Sequence, residues 1–306
     1  MKVYLRITLL PLAAGFAFAQ TPVTPSRPAS SQPGQVQTPA SLRTIFASPF
    51  ASRLAAADSS TLSITPGGIV PVYSSNTTIQ AGSWVSIYGT ALAAADATWT
   101  GNFPLTLGGT SVMVNGKPAY LWFVSPTQIN LQAPDDIATG TVPVVVTTQT
   151  GSVTSTVTLG QFGPSFSLLD ATHVAGIILR SNGSGTQGGG TYDIIGPTGS
   201  SLGYPTVAAK AGDTIEIFGV GFGPTNPPVT AGQVPPSIAG GNPAANNVQI
   251  LVNGTVLTPL FAGINGEAGL FQFNLTLPAG LGTGDVPLIG MVGGVQTPSG
   301  VVISLQ

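Results

Sequence analysis

The chain carries one histidine, His173, with Asp170 three residues before it. An imidazole beside a carboxylate is the base half of a serine hydrolase, where it takes the hydroxyl proton while the acid orients the ring. No nucleophile elbow is expected to go with it, so His173 reads as a loop or strand residue, and an extracellular hydrolase stands as a remote alternative. Asp135-Asp136, after the turn at Pro134, offers oxygens of the kind Ca²⁺ takes. The second half of the chain has Ala279-Gly280 at the matching place, and a solvated turn is the better reading. Gly183-Ser184-Gly185-Thr186-Gln187-Gly188 has the spacing of a dinucleotide-binding turn. That turn works through the amides of a following helix, and Gly189-Gly190-Thr191-Tyr192 will not start one, so a loop is expected. With no cysteine and one histidine there is no transition-metal set, and no cofactor is expected. Ten acidic residues spread along the chain also speak against a glycosidase pair.

What remains is aromatic. Trp84 and Tyr88 lie four residues apart on one strand face, about 13 Å at roughly 3.3 Å per residue, and Tyr120 and Trp122 share another. Rings on a sheet among Asn and Gln neighbours suit stacking on sugars, and the four are the candidate ligand-stacking residues. The competing reading has them covering a second sheet or a contact between domains.

Charge excludes other functions. Only 6% of the 306 residues are charged, and the net charge is -2. Beyond Lys2 and Arg6 the basic residues number six, scattered from Arg27 to Lys210. Duplex binding uses about 6 to 10 phosphate contacts from one basic face, so nucleic acid is excluded as a partner. The surface must instead be covered by Ser, Thr, Asn, Gln and Gly. Residues 1–19 read as a signal peptide: Lys2 and Arg6, then a mainly apolar run from Ile7 to Phe18, then Ala17-Phe18-Ala19 before cleavage. No later stretch has the roughly 18 apolar residues of a membrane span. The mature chain is expected to be secreted, periplasmic or at the cell surface, without disulfides. Residues 20–60, with five prolines between Pro22 and Pro39, read as a Pro/Ser/Thr-rich linker, with a short helix over 42–57 as a minor feature.

The elements that position these residues come from a repeat. Val114-Asn115-Gly116 recurs as Val252-Asn253-Gly254, and Gln128-Ile129-Asn130-Leu131 as Gln272-Phe273-Asn274-Leu275. Asn-Gly between β-branched runs signals a two-residue hairpin, because a type I′ turn needs positive φ at both positions. Gly82 to Gly89 recurs as Gly212 to Gly219. The offset between copies is 130 at Gly82 and Gly212, 138 at Asn115 and Asn253, and 144 at Gln128 and Gln272. Growing offsets mean insertions in the second copy, as in Thr225 to Asn247. Period-2 reading places Val85 and Ile87, with Ile215 and Ile217, in a core, as it does Phe271, Phe273, Leu275 and Leu277. Trp84, Ser86 and Tyr88 share the other face with Thr214, Glu216 and Phe218. Gly 41 and Pro 27, more than a fifth of the chain, suit many short strands. Short strands are expected at Leu62 to Ile64 and Ile69 to Tyr73, around the turn Pro66-Gly67-Gly68. Between the copies, Phe166 to Leu169 and Ala175 to Leu179 are strand candidates among loops.

On these residues rests a resemblance. Gly82 to Thr90, Val114-Asn115-Gly116-Lys117-Pro118-Ala119, Val124-Ser125-Pro126-Thr127-Gln128-Ile129-Asn130 and Gly221-Phe222-Gly223-Pro224 resemble the Solibacter-type C-terminal domain, an acidobacterial extracellular family without known activity. The Gly-x-x-x-x-Ile-x-Gly pattern at Gly82 and Gly212 is similar to IPT/TIG domains. The resemblance implies a secreted bacterial protein of immunoglobulin-like fold and supplies no functional residue. The expected fold is all-β, two tandem immunoglobulin-like (IPT/TIG-type) antiparallel β-sandwiches over 61–160 and 161–306. The expected function is non-enzymatic extracellular or cell-surface binding or adhesion, toward a glycan or a secreted or cell-surface protein. A structural docking module for other secreted proteins is the alternative.

Overall fold

A computed structural model describes residues 61–306 apart from Ser237 and Ala239. The expected signal peptide, the linker and the helix over 42–57 lie outside the described residues. The rest is all-β. Ten strands form the first sandwich: β1 (Ser63–Pro71), β2 (Thr78–Gln80), β3 (Trp84–Thr90), β4 (Ala97–Thr98), β5 (Ser111–Val114), β6 (Lys117–Pro118), β7 (Tyr120–Val124), β8 (Gln128–Gln132), β9 (Gly140–Thr148) and β10 (Gly151–Gly160). They pair as β1-β3-β8-β7-β4 and β2-β10-β9-β5-β6. The second sandwich has β11 (Ser165–Phe166), β12 (Gly176–Leu179), β13 (Tyr192–Ile194), β14 (Thr214–Val220), β15 (Asn242–Pro243), β16 (Val248–Val252), β17 (Thr255–Leu257), β18 (Phe261–Ile264), β19 (Phe271–Thr276), β20 (Gly284–Val292), β21 (Val295–Gln296) and β22 (Val302–Leu305). One sheet runs β13-β12-β14-β19-β18-β15 with β11 on β14, and the other runs β17-β16-β20-β21 with β22 on β20. Among the described residues no helix is long and apolar enough to cross a membrane.

The repeat is exact in register. Ser86 pairs Asn130 as Glu216 pairs Asn274, and Ile87 pairs Ile129 as Ile217 pairs Phe273. Val114 pairs Val144 as Val252 pairs Leu288. Both hairpin turns have the positive φ that Asn-Gly was expected to supply: 50° and 73° at Asn115 and Gly116, 48° and 78° at Asn253 and Gly254. The period-2 faces hold too. Val85, Ile87, Ile129 and Leu131 are buried in one core, and Ile215, Ile217, Phe273 and Leu275 in the other. Each such side chain stabilises the fold by about 1.5 to 3 kcal/mol on burial. The second core adds a Phe cluster in which Phe222 and Phe273 meet at 4.6 Å and 62°.

Two local expectations change. Leu62 to Ile64 and Ile69 to Tyr73 are not two strands about a turn. Ser63 to Pro71 form one bulged strand, β1, whose register on β3 jumps between Ile64 and Ile69, and Val72 and Tyr73 fall in the turn after it. Residues 65–68 form the bulge, and glycine fits at Gly68 because a Cβ there would lie 2.9 Å from the Thr65 carbonyl and 3.0 Å from the Tyr88 carbonyl. Of the strand candidates between the copies, Ala175 to Leu179 forms as Gly176–Leu179, whereas of Phe166 to Leu169 only Phe166 is in a strand, Ser165–Phe166; β13 at Tyr192–Ile194 had no alternation long enough to announce it.

Candidate functional site: the joint between the sandwiches

The outer face of the β3/β8 sheet is polar by sequence yet buried. Ser86, Asn130 and Gln132 are 2%, 4% and 1% exposed. A buried amide needs partners, and these have them. Asn130 Oδ1 accepts from Ser86 Oγ at 2.9 Å and from Gln128 Nε2 at 2.8 Å. The second copy repeats the ladder, Gln272 Nε2 donating to Asn274 Oδ1 at 2.8 Å and to Glu216 Oε1 at 2.9 Å. Burial raises the Glu216 carboxyl above its usual range, and the Asn274 amide pulls it partly back.

The first copy's face is covered by the second sandwich. Trp84, 1% exposed, donates its indole N–H to the carbonyl of Ala268 at 2.6 Å. Three more bonds run from second-sandwich amides to first-sandwich side chains: Gly223 N–H to Gln80 Oε1 (2.9 Å), Ala231 N–H to Asp135 Oδ2 (3.0 Å) and Gly232 N–H to Gln132 Oε1 (2.9 Å). Two glycines permit the approach. Gly232, at φ 74°, lies flat on the Tyr120 ring where a Cβ would collide, and Gly269, at φ 68°, leaves only 2.8 Å from a Cβ position to the Gly82 carbonyl. Both contact loops are insertions. The offset grows by eight across the β14–β16 connection, which holds Gly223, Ala231 and Gly232, and by six at the β18–β19 hairpin, whose tip holds Ala268 and Gly269.

Beside these bonds opens a cleft of about 720 Å³, lined from one side by Gln80, Lys117 and Asp135 and from the other by Thr225, Ile264 and Phe271. Ile137 stands at it fully exposed. Glu267, on the β18–β19 hairpin, is half-buried, and desolvation pushes its carboxyl from an ordinary 4.5 up to about 7.

The four aromatic candidates are not presented together. Trp84 and Trp122 are buried, at 1% and 4%, while Tyr88 and Tyr120 are half-buried. Of the four stacking candidates, Trp84 and Trp122 are thus closed to solvent: they pack on other rings, and Trp84 also on the second sandwich. Trp84 meets Trp122 at 5.8 Å and 70°, and Trp99 at 5.8 Å and 78°. Trp99 continues to Phe103 (4.7 Å, 84°), and Phe103 to Tyr120 (6.4 Å, 88°). These contacts are edge-to-face, the preferred geometry for packed rings. Trp99 and Phe103, both half-buried, were missed by sequence reading because they stand on the irregular β4–β5 connection, outside any alternation. Phe103 has φ 48°, a value that costs a bulky residue strain.

The other motifs resolve into structure. His173 Nδ1 lies 2.9 Å from Asp170 Oδ2, and Nε2 lies 3.3 Å from Asp285 Oδ2. Desolvation works against the Asp170 charge, but the N–H groups of His173 and Thr172 hold its carboxyl below the usual range. With both ring nitrogens facing carboxylates, the ring has no nitrogen turned to a serine, and Ser304 Oγ donates instead to Asp285 at 2.6 Å. A serine in the elbow pattern does exist, contrary to expectation, at Gly199-Ser200-Ser201-Leu202-Gly203. It occupies a turn closed by the Gly199–Thr206 bridge, without the strand-to-helix corner that exposes a nucleophile. Asp136 Oδ1 accepts from the Ala138 amide at 2.9 Å and Oδ2 from Asn115 Nδ2 at 2.8 Å, with Lys117 3.4 Å away, and these bonds hold its carboxyl low. Asp135 is bound to Ala231, so the acidic pair ties loops together. Among the described residues no group of three His, Asp or Glu side chains is arranged to hold a metal ion. The Gly183 to Gly188 run leads into a three-residue 3₁₀ turn, and Thr186 anchors it by two bonds to Asp193 Oδ1, at 2.8 and 2.9 Å.

Comparison with solved structures gives distant likenesses. A Bacteroides ovatus mixed-linkage glucan utilization locus protein, SGBP-B, in complex with a mixed-linkage heptasaccharide is 11% identical at TM-score 0.30, over 75% of this chain and 43% of that one. The plexin A4 extracellular region is 10% identical at TM-score 0.27, over 85% of this chain and 20% of that one. Murine CEACAM1b is 10% identical at TM-score 0.18, over 78% and 98%. The chain thus spans less than half the length of the first two, and at these scores the likeness is no guide to activity. No curated protein matches. The sequence of the first sandwich, residues 62–162, matches the model of the IPT/TIG domain.

Proposed function

We propose that the protein is a non-catalytic, immunoglobulin-like binding module that works outside the cell or at its surface, with its ligand held at the joint between the sandwiches. One observation carries this: the cleft of about 720 Å³ built by both sandwiches and held by four hydrogen bonds between them. Clefts of roughly 300 to 1,000 Å³ at domain junctions are the usual seats of ligands. The mix of Lys117, Asp135 and Gln80 with Phe271 and Ile264 suits a polar chain with apolar faces, and a glycan is the ligand class we favour. The half-buried Tyr120 ring lies against Gly232 at the same joint, and Phe103 and Trp99 continue the row of rings from it. Export through cleavage after Ala19, and kinship with the Solibacter-type acidobacterial domains, belong to the same proposal.

A glycan array and a cell-envelope binding assay with the secreted chain test it. Ile137→Asp at the cleft and Trp99→Ala at the rings are expected to reduce binding, while His173→Ala leaves it unchanged. Blank results on both assays overturn the ligand reading. The structural docking module is then favoured, since Leu260 and Val256 are 73% and 51% exposed on the second sandwich.

A further inference from the structure

The two sandwiches differ at one place where their topology is the same. In the first, β10 pairs along its whole length with β9, from Gly151 on Thr148 to Leu159 on Gly140. On its other side it hydrogen-bonds only to β2, at Thr158, Leu159 and Gly160, while β1 of the facing sheet passes close by without pairing. Residues 151–157 therefore form a sheet edge with no strand paired to it among the described residues. In the second sandwich the matching segment follows β20, and it is protected twice. It is broken into β21 and β22 around Pro298 and Gly300, the latter at φ 91°. Its outer side is then covered further along: Ala209 N–H donates to the Ser304 carbonyl at 3.0 Å, as β2 covers the end of β10, and Val174 N–H adds a bond to the Val302 carbonyl at 3.0 Å, at the position of Thr156 in the first sandwich.

Folded proteins blunt bare edges with lysine, proline, a bulge or a covering loop. The β10 edge, Gly151-Ser152-Val153-Thr154-Ser155-Thr156-Val157, has none of these. The whole hairpin from Gly140 to Gly160 contains no charged residue, and its one proline, Pro143, pairs inward with Thr156. In an antiparallel pair about half of an edge strand's N–H and C=O groups point away from its neighbour, ready to bond another strand. Strand-favouring Val and Thr make the segment a good template.

We infer that β10 is a self-association edge: two copies of the chain join β10 to β10 antiparallel about a two-fold axis at Thr154, making one continuous sheet through both first sandwiches. The segment is its own complement. Thr154 then faces Thr154 of the partner copy, and Ser152 faces Thr156. Hydroxyl pairs of this kind are favourable across strands, whereas like charges would be unfavourable, and the segment has none. The net charge of -2 gives little repulsion between copies. An isologous contact of this type closes as a dimer and leaves no second free β10. Val153 and Ser155 are half-buried, so their partners extend a face already in use, while Ser152, Thr154 and Thr156 are exposed.

Sedimentation equilibrium of the secreted chain over a wide concentration range, with hydrogen exchange at both ends of the range, tests this. A monomer–dimer equilibrium is expected, with amide protection in 151–157 rising with concentration. Ser152→Lys/Thr154→Lys/Thr156→Lys places like charges opposite one another and should weaken the dimer about tenfold or more. At concentrations low enough for the parent to be monomeric, the thermal midpoints of the two should agree closely, because all three positions are exposed. Thr154→Lys mixed with Thr154→Glu should associate more tightly than either alone, a result specific to a two-fold axis at that residue. A chain that stays monomeric throughout overturns the inference. So does a dimer that leaves exchange in 151–157 unchanged or ignores the lysines. None of these readouts depends on ligand binding at the joint.

Discussion

If the joint is a built contact, Trp84→Phe should loosen it while leaving the first sandwich folded. Phenylalanine keeps a ring for Trp122 and Trp99 to pack against but cannot donate to Ala268. That carbonyl belongs to a residue 4% exposed, accepts at 2.6 Å, and would be left without its donor. An orphaned buried acceptor costs about 1 to 3 kcal/mol, and the lost indole ring adds about 1 kcal/mol of apolar contact. A net loss of about 2 to 4 kcal/mol lowers the midpoint by roughly 4 to 16 °C in a unit of this size. Differential scanning calorimetry should show more than the shift: one cooperative transition in the parent, separating toward two as the sandwiches uncouple. Gly269→Ala attacks the same contact from the other side, through a positive φ and a Cβ 2.8 Å from the Gly82 carbonyl, and should have the same signature. A Trp84→Phe chain with an unchanged midpoint, together with a Gly269→Ala chain whose small-angle scattering matches the parent, would refute the reasoning.

Glu267 should make stability depend on pH. Its carboxyl is raised from 4.5 to about 7 in the folded chain, so the folded state holds this proton more tightly than the unfolded one. Its contribution is then greatest below pH 4.5 and falls as pH rises to 7, by about 1 to 2 kcal/mol after allowance for the solvent that still reaches it. Urea midpoints of parent and Glu267→Gln should diverge across that window, and parallel curves would count against the assignment. Gly290→Ala should destabilise the second sandwich by about 1 to 3 kcal/mol, since its Cβ would sit 2.9 Å from both Phe166 and Phe222; chemical denaturation measures it. Gly254→Ala, at φ 78°, should cost about 1 kcal/mol in the same assay and change no contact at the joint.

Much of each sandwich could be read from its own residues, because hairpin turns and strand faces are local properties. Asn-Gly requires positive φ wherever it stands, and Phe271, Phe273 and Leu275 alternate whatever packs above them. The joint is not local. Trp84 and Ala268 are 184 residues apart, and nothing near Trp84 in the chain says that its outer face meets protein. A strand read alone assigns one face to the core and leaves the other undecided, so Trp84 with Tyr88, and Tyr120 with Trp122, read either as rings for a ligand or as cover for a contact between domains. Trp99 and Phe103 gave no signal, since an irregular connection has no period to break.

One clue to the joint did lie in the arithmetic of the repeat. The residues that bond across it in the first copy are Gln80, Trp84, Gln132 and Asp135, and their counterparts by offset are Lys210, Thr214, Thr276 and Ala279. None of the four keeps its type, whereas the Gln-x-Asn ladder, which serves each sheet internally, is present in both. The inserted loops show the same division, standing in the second copy at the two places that touch the first. Residues shared by the copies thus build a sandwich, and residues peculiar to one copy set how the two sandwiches meet. On that reasoning Gln80→Lys/Gln132→Thr, which writes second-copy residues into the first, should leave both sandwiches folded but remove two of the four bonds across the joint. Calorimetry should then show the two transitions expected of Trp84→Phe, with the core aromatic signals of the second sandwich unchanged by NMR. Loss of those signals would mean that the joint residues serve the fold itself.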